Sequence, residues 1–213
     1  MAGRELDWKY TEGFITERPD IAVLRENSIE LGIDPISAAA GAQLAFIAAT
    51  AAPESIVEIG TGIGVSGLWL LSGAPEASFT SIDSEADYQQ VAKAAFIEAG
   101  IAANRVRLIT GAASQVLPRM NDGSYDLVFI DGDPESVIEY VEHGIRLARS
   151  GGVIIVAHAL WRGKVADPAQ RDEPVASFRS LLAEMKKRST GESSAVTAAL
   201  SPIGDGLLQL VKK

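Results

Sequence analysis

Several short stretches of this 213-residue chain carry side chains able to do chemistry. The first is Glu58-Ile59-Gly60-Thr61-Gly62-Ile63-Gly64-Val65-Ser66, a carboxylate inside a β-branched run that breaks into alternating glycines. Glycines there permit a tight turn and let a ligand approach the backbone, and the helix that follows offers free N–H groups. Asp83 closes the next β-branched run, where an acid can accept hydrogen bonds from a ribose diol. Further on come Asp131-Gly132-Asp133-Pro134 and then Ala157-His158, with Trp161 just beyond. The glycine turn and Asp83 together define a nucleoside-binding crevice at the carboxyl ends of strands.

Two cofactors compete for that crevice. A dinucleotide fingerprint requires G-x-G-x-x-G or a terminal alanine. Val65 stands where that last small residue belongs, and the glycines follow a G-x-G-x-G spacing instead. A carboxylate at Glu58, inside the strand, suits a ligand with cationic groups such as the ammonium and sulfonium of S-adenosylmethionine. A turn that serves only strand–helix packing is the plainer alternative, and Asp83 in register argues against it.

These residues need a scaffold, and the patterning supplies one. Strands are expected at 55–59, 79–83, 106–109, 126–130 and 153–156; the first, fourth and fifth are nearly continuous apolar runs, as in central parallel strands. Helices are expected over Glu85–Ala99, with Ser84 as N-cap and Gly100 as stop, and over Pro134–Arg149, ending at Gly151-Gly152. A shorter apolar helix, Gly67–Leu71, follows the glycine turn. Pro19–Leu31 and Ser37–Ala52 form helices ahead of the core. The chain closes with Ala195–Ser201 and Leu207–Lys212 around Pro202-Ile-Gly-Asp-Gly206, which reads as an antiparallel hairpin. The expectation is an α/β fold in one domain, 1–213, with 1–54 as a helical extension and 55–213 as the cofactor-binding core.

Composition narrows the function classes. A net charge of −9 disfavours nucleic acid as a partner, because affinity for phosphate backbones comes from clustered Lys and Arg. The absence of cysteine removes disulfides, zinc–thiolate sites and a cysteine nucleophile. The N-terminal residues lack the apolar core of a signal peptide, and the alanine-rich stretch 38–52 is too short to span a bilayer. A cytoplasmic protein with no membrane partner is expected.

The motifs VEIGTGIGVSGLWL, FTSID, GAASQVLP, YDLVFIDGDP, RSGGVIIVAHALWRGKVADP and SPIGDGLLQLVKK, in this order, are similar to the small class I O-methyltransferases of the catechol and caffeoyl-CoA type. The likeness covers about residues 33–213. It implies a Rossmann-like methyltransferase fold with a seven-stranded, mostly parallel sheet, helices on both faces and a C-terminal antiparallel hairpin. It also implies S-adenosyl-L-methionine as cofactor, a small acceptor of which a phenol is one kind, and a homodimer. Glu58, Gly60, Thr61 and Ser66 match its cofactor motif, and Ile36 matches the position beside the methionine portion. Asp83 matches the ribose-binding acid, Ala112 and Ala113 the adenine-contacting segment. Asp131 matches a residue near cofactor and metal, and Asp133 is a plausible cofactor contact two residues on.

The chain departs from this family pattern at the chemistry. The Asp-Asn pair that follows the fifth strand is replaced by Ala157-His158, and the lysine three residues after the aspartate by Pro134. Asp131 is the one family metal ligand that remains, so a divalent metal is left open. His158 can be a general base, with an ordinary pKa near 6.5, a ligand for a softer metal beside Asp131, or a polar loop residue. Trp161 and the loop to about Asp172 can cover the ligand, stack on an aromatic acceptor, or cover the core. His143 reads as structural. The alternative function is a cofactor-binding protein of this fold that has lost metal-dependent catalysis; nicotinamide-dependent oxidoreduction and nucleic-acid methylation rank below it.

Overall fold

The computed structural model describes residues 2–191 and 194–213. Helices α1 (Ala2–Glu12), α2 (Pro19–Glu30) and α3 (Ala38–Ala51) come first. Strands and helices then alternate: β1 (Ser55–Ile59), α4 (Val65–Gly73), β2 (Ser78–Asp83), α5 (Ala86–Glu98), β3 (Val106–Thr110) and the single turn α6 (Ala113–Val116). They continue as β4 (Tyr125–Ile130), α7 (Val137–Leu147), β5 (Ala148–Val156) and α8 (Glu173–Arg188), and end in the hairpin β6 (Val196–Ser201) and β7 (Leu207–Lys212).

The strands form one seven-stranded sheet in the order β3-β2-β1-β4-β5-β7-β6. Neighbours from β3 through β5 are parallel, whereas β7 runs antiparallel to both β5 and β6. The apolar runs at β1, β4 and β5 are therefore central, as continuous hydrophobicity requires of strands covered on both faces. Alternation then divides their side chains. Ile56, Leu127, Phe129 and Ile155 pack with α2–α5, and Val57, Ile59, Val128 and Ile130 pack with α7 and α8. Among the described residues no helix is long and apolar enough to cross a membrane.

Several boundaries differ from expectation, each for a local reason. Ser84 does not cap α5. The carboxylate of Asp83 takes the main-chain N–H of Glu85 instead (2.9 Å), and the Ser84 hydroxyl donates to the Glu85 side chain. Pro134 opens a 3₁₀ turn, Pro134–Ser136, and the α-helix proper begins only at Val137. That helix stops at Leu147 because Ala148 is already extended and paired with Tyr125; Arg149–Gly152 then bulge before Val153 meets Leu127. The helix after the glycine turn is longer than expected, Val65–Gly73, and buried from Val65 to Leu71.

Helices α1 and α8 were not anticipated. In α8, Val175, Phe178, Leu181 and Met185 recur at helical spacing and are buried, with Pro174 in the first turn, so the pattern was present. In α1, Leu6, Trp8 and Tyr10 are all exposed, and no apolar stripe marks it.

The alanine-rich α3 works through smallness. Ser37 caps it by accepting from the Ala40 N–H (3.2 Å), and its Ala39, Ala40, Gly41, Leu44 and Ala48 are buried. A Cβ at Gly41 would lie 2.3 Å from the indole nitrogen of Trp69 on α4. Gly41→Ala should therefore overpack this contact and lower unfolding free energy by about 1–3 kcal/mol, measured as a fall in the urea midpoint with the slope unchanged.

Candidate functional site

The parallel register sets Glu58 of β1 beside Ser81 of β2. The Ser81 hydroxyl donates to one oxygen of the Glu58 carboxylate (2.5 Å), and Ser66, in the first turn of α4, donates to the other (2.6 Å). Burial pushes Glu58 up to about 8, and the two hydroxyls pull against that rise. The network continues outward: Thr61 and Ser81 share a hydrogen bond (2.6 Å), Gln89 Nε2 donates to Thr61, and Thr110 donates to Gln89 Oε1. A buried carboxylate thus pins the turn to its neighbours from behind.

The turn itself has Gly60, Gly62 and Gly64 all at positive φ. At Gly60 the constraint is also steric, because a Cβ would lie 2.1 Å from the carbonyl oxygen of Asp131. That main-chain approach sets the ends of β1 and β4 side by side. Asp83, at the tip of β2, accepts from the Gly62 N–H (2.8 Å) as well as from Glu85, so it locks the turn to the start of α5. Each of its oxygens retains a further lone pair. Gly111 N–H donates to the Asp83 carbonyl (2.8 Å), which sets Ala112 and Ala113 next to that tip.

Two clefts open on this edge of the sheet. A small one, about 60 Å³, is lined by Gly60, Thr61, Gly62, Ser66 and Asp131. It has room for about two waters, so it can take only the end of a ligand. A larger one, about 680 Å³, is lined by Trp8, Ile36, His158, Leu160, Arg162 and Asp205 among others. Asp34, Pro35 and Ile36 wall both. Glu58 lines neither; Ser66, which donates to it, stands between it and the small cleft. Asp133 is likewise outside them; its carboxylate caps the 3₁₀ turn by accepting from the N–H groups of Glu135 and Ser136.

Asp131 and His158 meet where the clefts adjoin. Nε2 of His158 is 3.3 Å from Asp131 Oδ1, and Nδ1 is 3.2 Å from Asp205 Oδ2. The first contact is poorly aligned, which leaves Nε2 buried without a hydrogen-bond partner. Burial alone would lower the imidazole pKa, but Asp131, then Asp205 and the more distant Asp34 outweigh it and raise it to about 9. Asp131 is raised by its own burial, with His158 opposing and Asp34 adding to the rise. Arg162, hydrogen-bonded to Asp34, is the nearby cation on the loop.

This donor set does not fit a hard divalent cation, which wants several convergent oxygens in near-octahedral geometry. Asp131 offers one carboxylate, and the adjacent nitrogen belongs to a ring favoured in its protonated form. No cluster of three or more such side chains able to hold a metal exists among the described residues. Trp161 is turned away from the larger cleft and stacks on Phe178 of α8, with ring centroids 5.5 Å apart, so it covers the core and not an acceptor. His143 faces Arg146 on α7. Asp205 went unnoticed in the sequence because Pro202–Gly206 reads as turn chemistry; Asp34 and Arg162 carry no motif either.

The sheet order, the acid at the tip of β2 and the glycine turn define the Rossmann-like methyltransferase class. The O-methyltransferase family model matches residues 17–213. A Mycobacterium tuberculosis protein named "probable O-methyltransferase" is 44% identical over 206 residues, covering 96% of this chain and 90% of that one. A crystal structure from Corynebacterium glutamicum superposes with a TM-score of 0.86 at 30% identity, covering 100% and 97% of the two chains. The O-methyltransferase TomG of Streptomyces achromogenes, solved in complex with SAM, gives 0.82 at 25% identity, covering 98% and 96%. The chain belongs to the O-methyltransferase family.

His158 and His143 are the two histidines of the chain, so an imidazole titration followed by ¹H–¹⁵N NMR resolves both. His158 should titrate near 9. Since its folded pKa exceeds the unfolded value of about 6.5, its contribution to folding is full below that pH and fades as pH rises through about 9.

Proposed function

We propose that the chain transfers the methyl group of S-adenosylmethionine to an oxygen of a small molecule bound in the larger cleft. The observation that carries this reading is the juxtaposition of the two clefts, with Asp131 and His158 between them. The cofactor supplies an electrophilic methyl on a cationic sulfonium. Gly60, Thr61, Ser66 and Ile36 would bound its methionine end. Glu58, held largely protonated by burial, would release its proton as the cation binds and so favour that charge from behind Ser66, and Asp83 would take the ribose hydroxyls. Ala112 and Ala113 would border adenine; Asp133 would reach the cofactor only by giving up part of its cap.

His158 serves as the group that takes the acceptor proton, with Asp131 beside it as the fixed negative charge. No step is assigned to a metal. The net charge of −9 supports a small-molecule acceptor over nucleic acid. The family resemblance supports a homodimer, and light scattering on the purified chain tests it.

Calorimetry with S-adenosylhomocysteine and, separately, NADH tests the cofactor. Binding of the first with no response to the second is expected, and the reverse would overturn the reading. Glu58→Gln, nearly isosteric and already satisfied by two hydroxyls, should keep the fold and weaken S-adenosylmethionine binding about tenfold, equivalent to about 1.4 kcal/mol.

A further inference from the structure

The loop after β5 is held in an unfavourable conformation. His158, Trp161 and Arg162 have φ of 54°, 43° and 54°, the left-handed region that side chains disfavour. Such strain persists only where the surroundings over-determine it. Here the hairpin turn between β6 and β7 does so. Ala159 N–H donates to the Gly206 carbonyl (3.0 Å) and Leu160 N–H to the Asp205 carbonyl (2.9 Å).

Asp205 then uses both carboxylate oxygens on the same loop. Oδ1 accepts from the Arg162 main-chain N–H, and Oδ2 faces Nδ1 of His158 at 3.2 Å. An imidazole carries one proton when neutral, and the nitrogen that keeps it is decided by the partner of each. A carboxylate hydrogen-bonded at Nδ1 keeps the proton there and leaves Nε2 as the lone pair. Nε2 is the atom without a hydrogen-bond partner, beside Asp131.

We propose that Asp205 is a positioning residue for methyl transfer: it fixes the ring and tautomer of His158 so that Nε2, and not a divalent cation, receives the proton of the acceptor hydroxyl. This rests on the methyltransferase reading above. The flanking carboxylates keep the ring charged until pH rises through about 9; once it is neutral, the acceptor O–H proton passes to Nε2 as the oxygen forms its bond to the methyl carbon, so turnover climbs over that pH range. The carbon–sulfur bond breaks with its electron pair on sulfur, which turns the sulfonium into a neutral thioether. The imidazolium, held between Asp131 and Asp205, later yields its proton to water. No oxidant, reductant or metal enters the balance.

The first test needs no acceptor. In wild-type protein saturated with S-adenosylhomocysteine, ¹⁵N shifts of His158 at pH 10 should report the Nδ1–H tautomer, the reverse of the Nε2–H form that a free histidine side chain favours. An Nε2–H tautomer would overturn the proposal. The second test uses Asp205→Asn, which can still accept from the Arg162 N–H and so preserves the turn. With a phenolic acceptor that the wild type methylates, kcat should fall at least tenfold while KM and S-adenosylhomocysteine affinity change less than threefold. Wild-type turnover should be indifferent to EDTA and to added Mg²⁺. Wild-type kcat in the variant, or loss of wild-type activity in EDTA with recovery in Mg²⁺, would overturn it. Failure to bind S-adenosylhomocysteine would instead remove the methyltransferase reading, and the His158 tautomer would then be read on the ligand-free protein.

Discussion

Everything at the functional edge of this sheet depends on one main-chain contact, the approach of Gly60 to the carbonyl of Asp131. Adjacent parallel strands normally splay apart once their ladder ends, and a side chain at the first residue past β1 would force them to. With only hydrogen there, Asp131 N–H still bonds the Ile59 carbonyl (2.8 Å), and Gly60 N–H bonds Ile82 (2.9 Å). The three strand tips stay in step for one residue beyond the ladder. That step brings Asp131 against the glycine turn and Asp83 against its other side. The two clefts consequently share a wall.

Behind the turn lies a second device of a different kind. Glu58 is a carboxyl group with no solvent, held by two serine hydroxyls from different elements. A buried polar network of this sort fixes geometry when every member is satisfied. Thr61, Ser81, Gln89 and Thr110 extend it from β1 to the tip of β3. The alternating glycines supply freedom, and this network removes it again.

Much of this was legible in the residues, for identifiable reasons. Nearly continuous apolar runs placed β1, β4 and β5 at the centre because burial on both faces leaves few polar positions, Glu58 being the exception. The glycine turn that lines the small cleft was legible because its backbone demands are local to a strand end; Glu58 and Asp83, also singled out, brace it and line neither cleft. Other parts were not local. Asp205 meets His158 across 47 residues of chain, and no spacing rule connects a hairpin turn to a strand tip. Helix α1 hides because its large side chains stay exposed, whereas α8 carried a readable stripe. The cap of α5 went astray because the Asp83 carboxylate took the role that Ser84 suggested for itself.

The distance between His158 and Asp205 along the chain has a consequence for biosynthesis. A polypeptide emerging from the ribosome can complete the glycine turn, Asp83 and Asp131 while its last strands are still being made. The loop carrying His158 is tied to Asp34 and α8 beforehand, but its strained residues lack their main-chain and carboxylate partners until the β6–β7 turn arrives. Until then the loop lacks the Asp205 carboxylate and the two main-chain carbonyls that now fix it. Order of manufacture puts the support of that loop last.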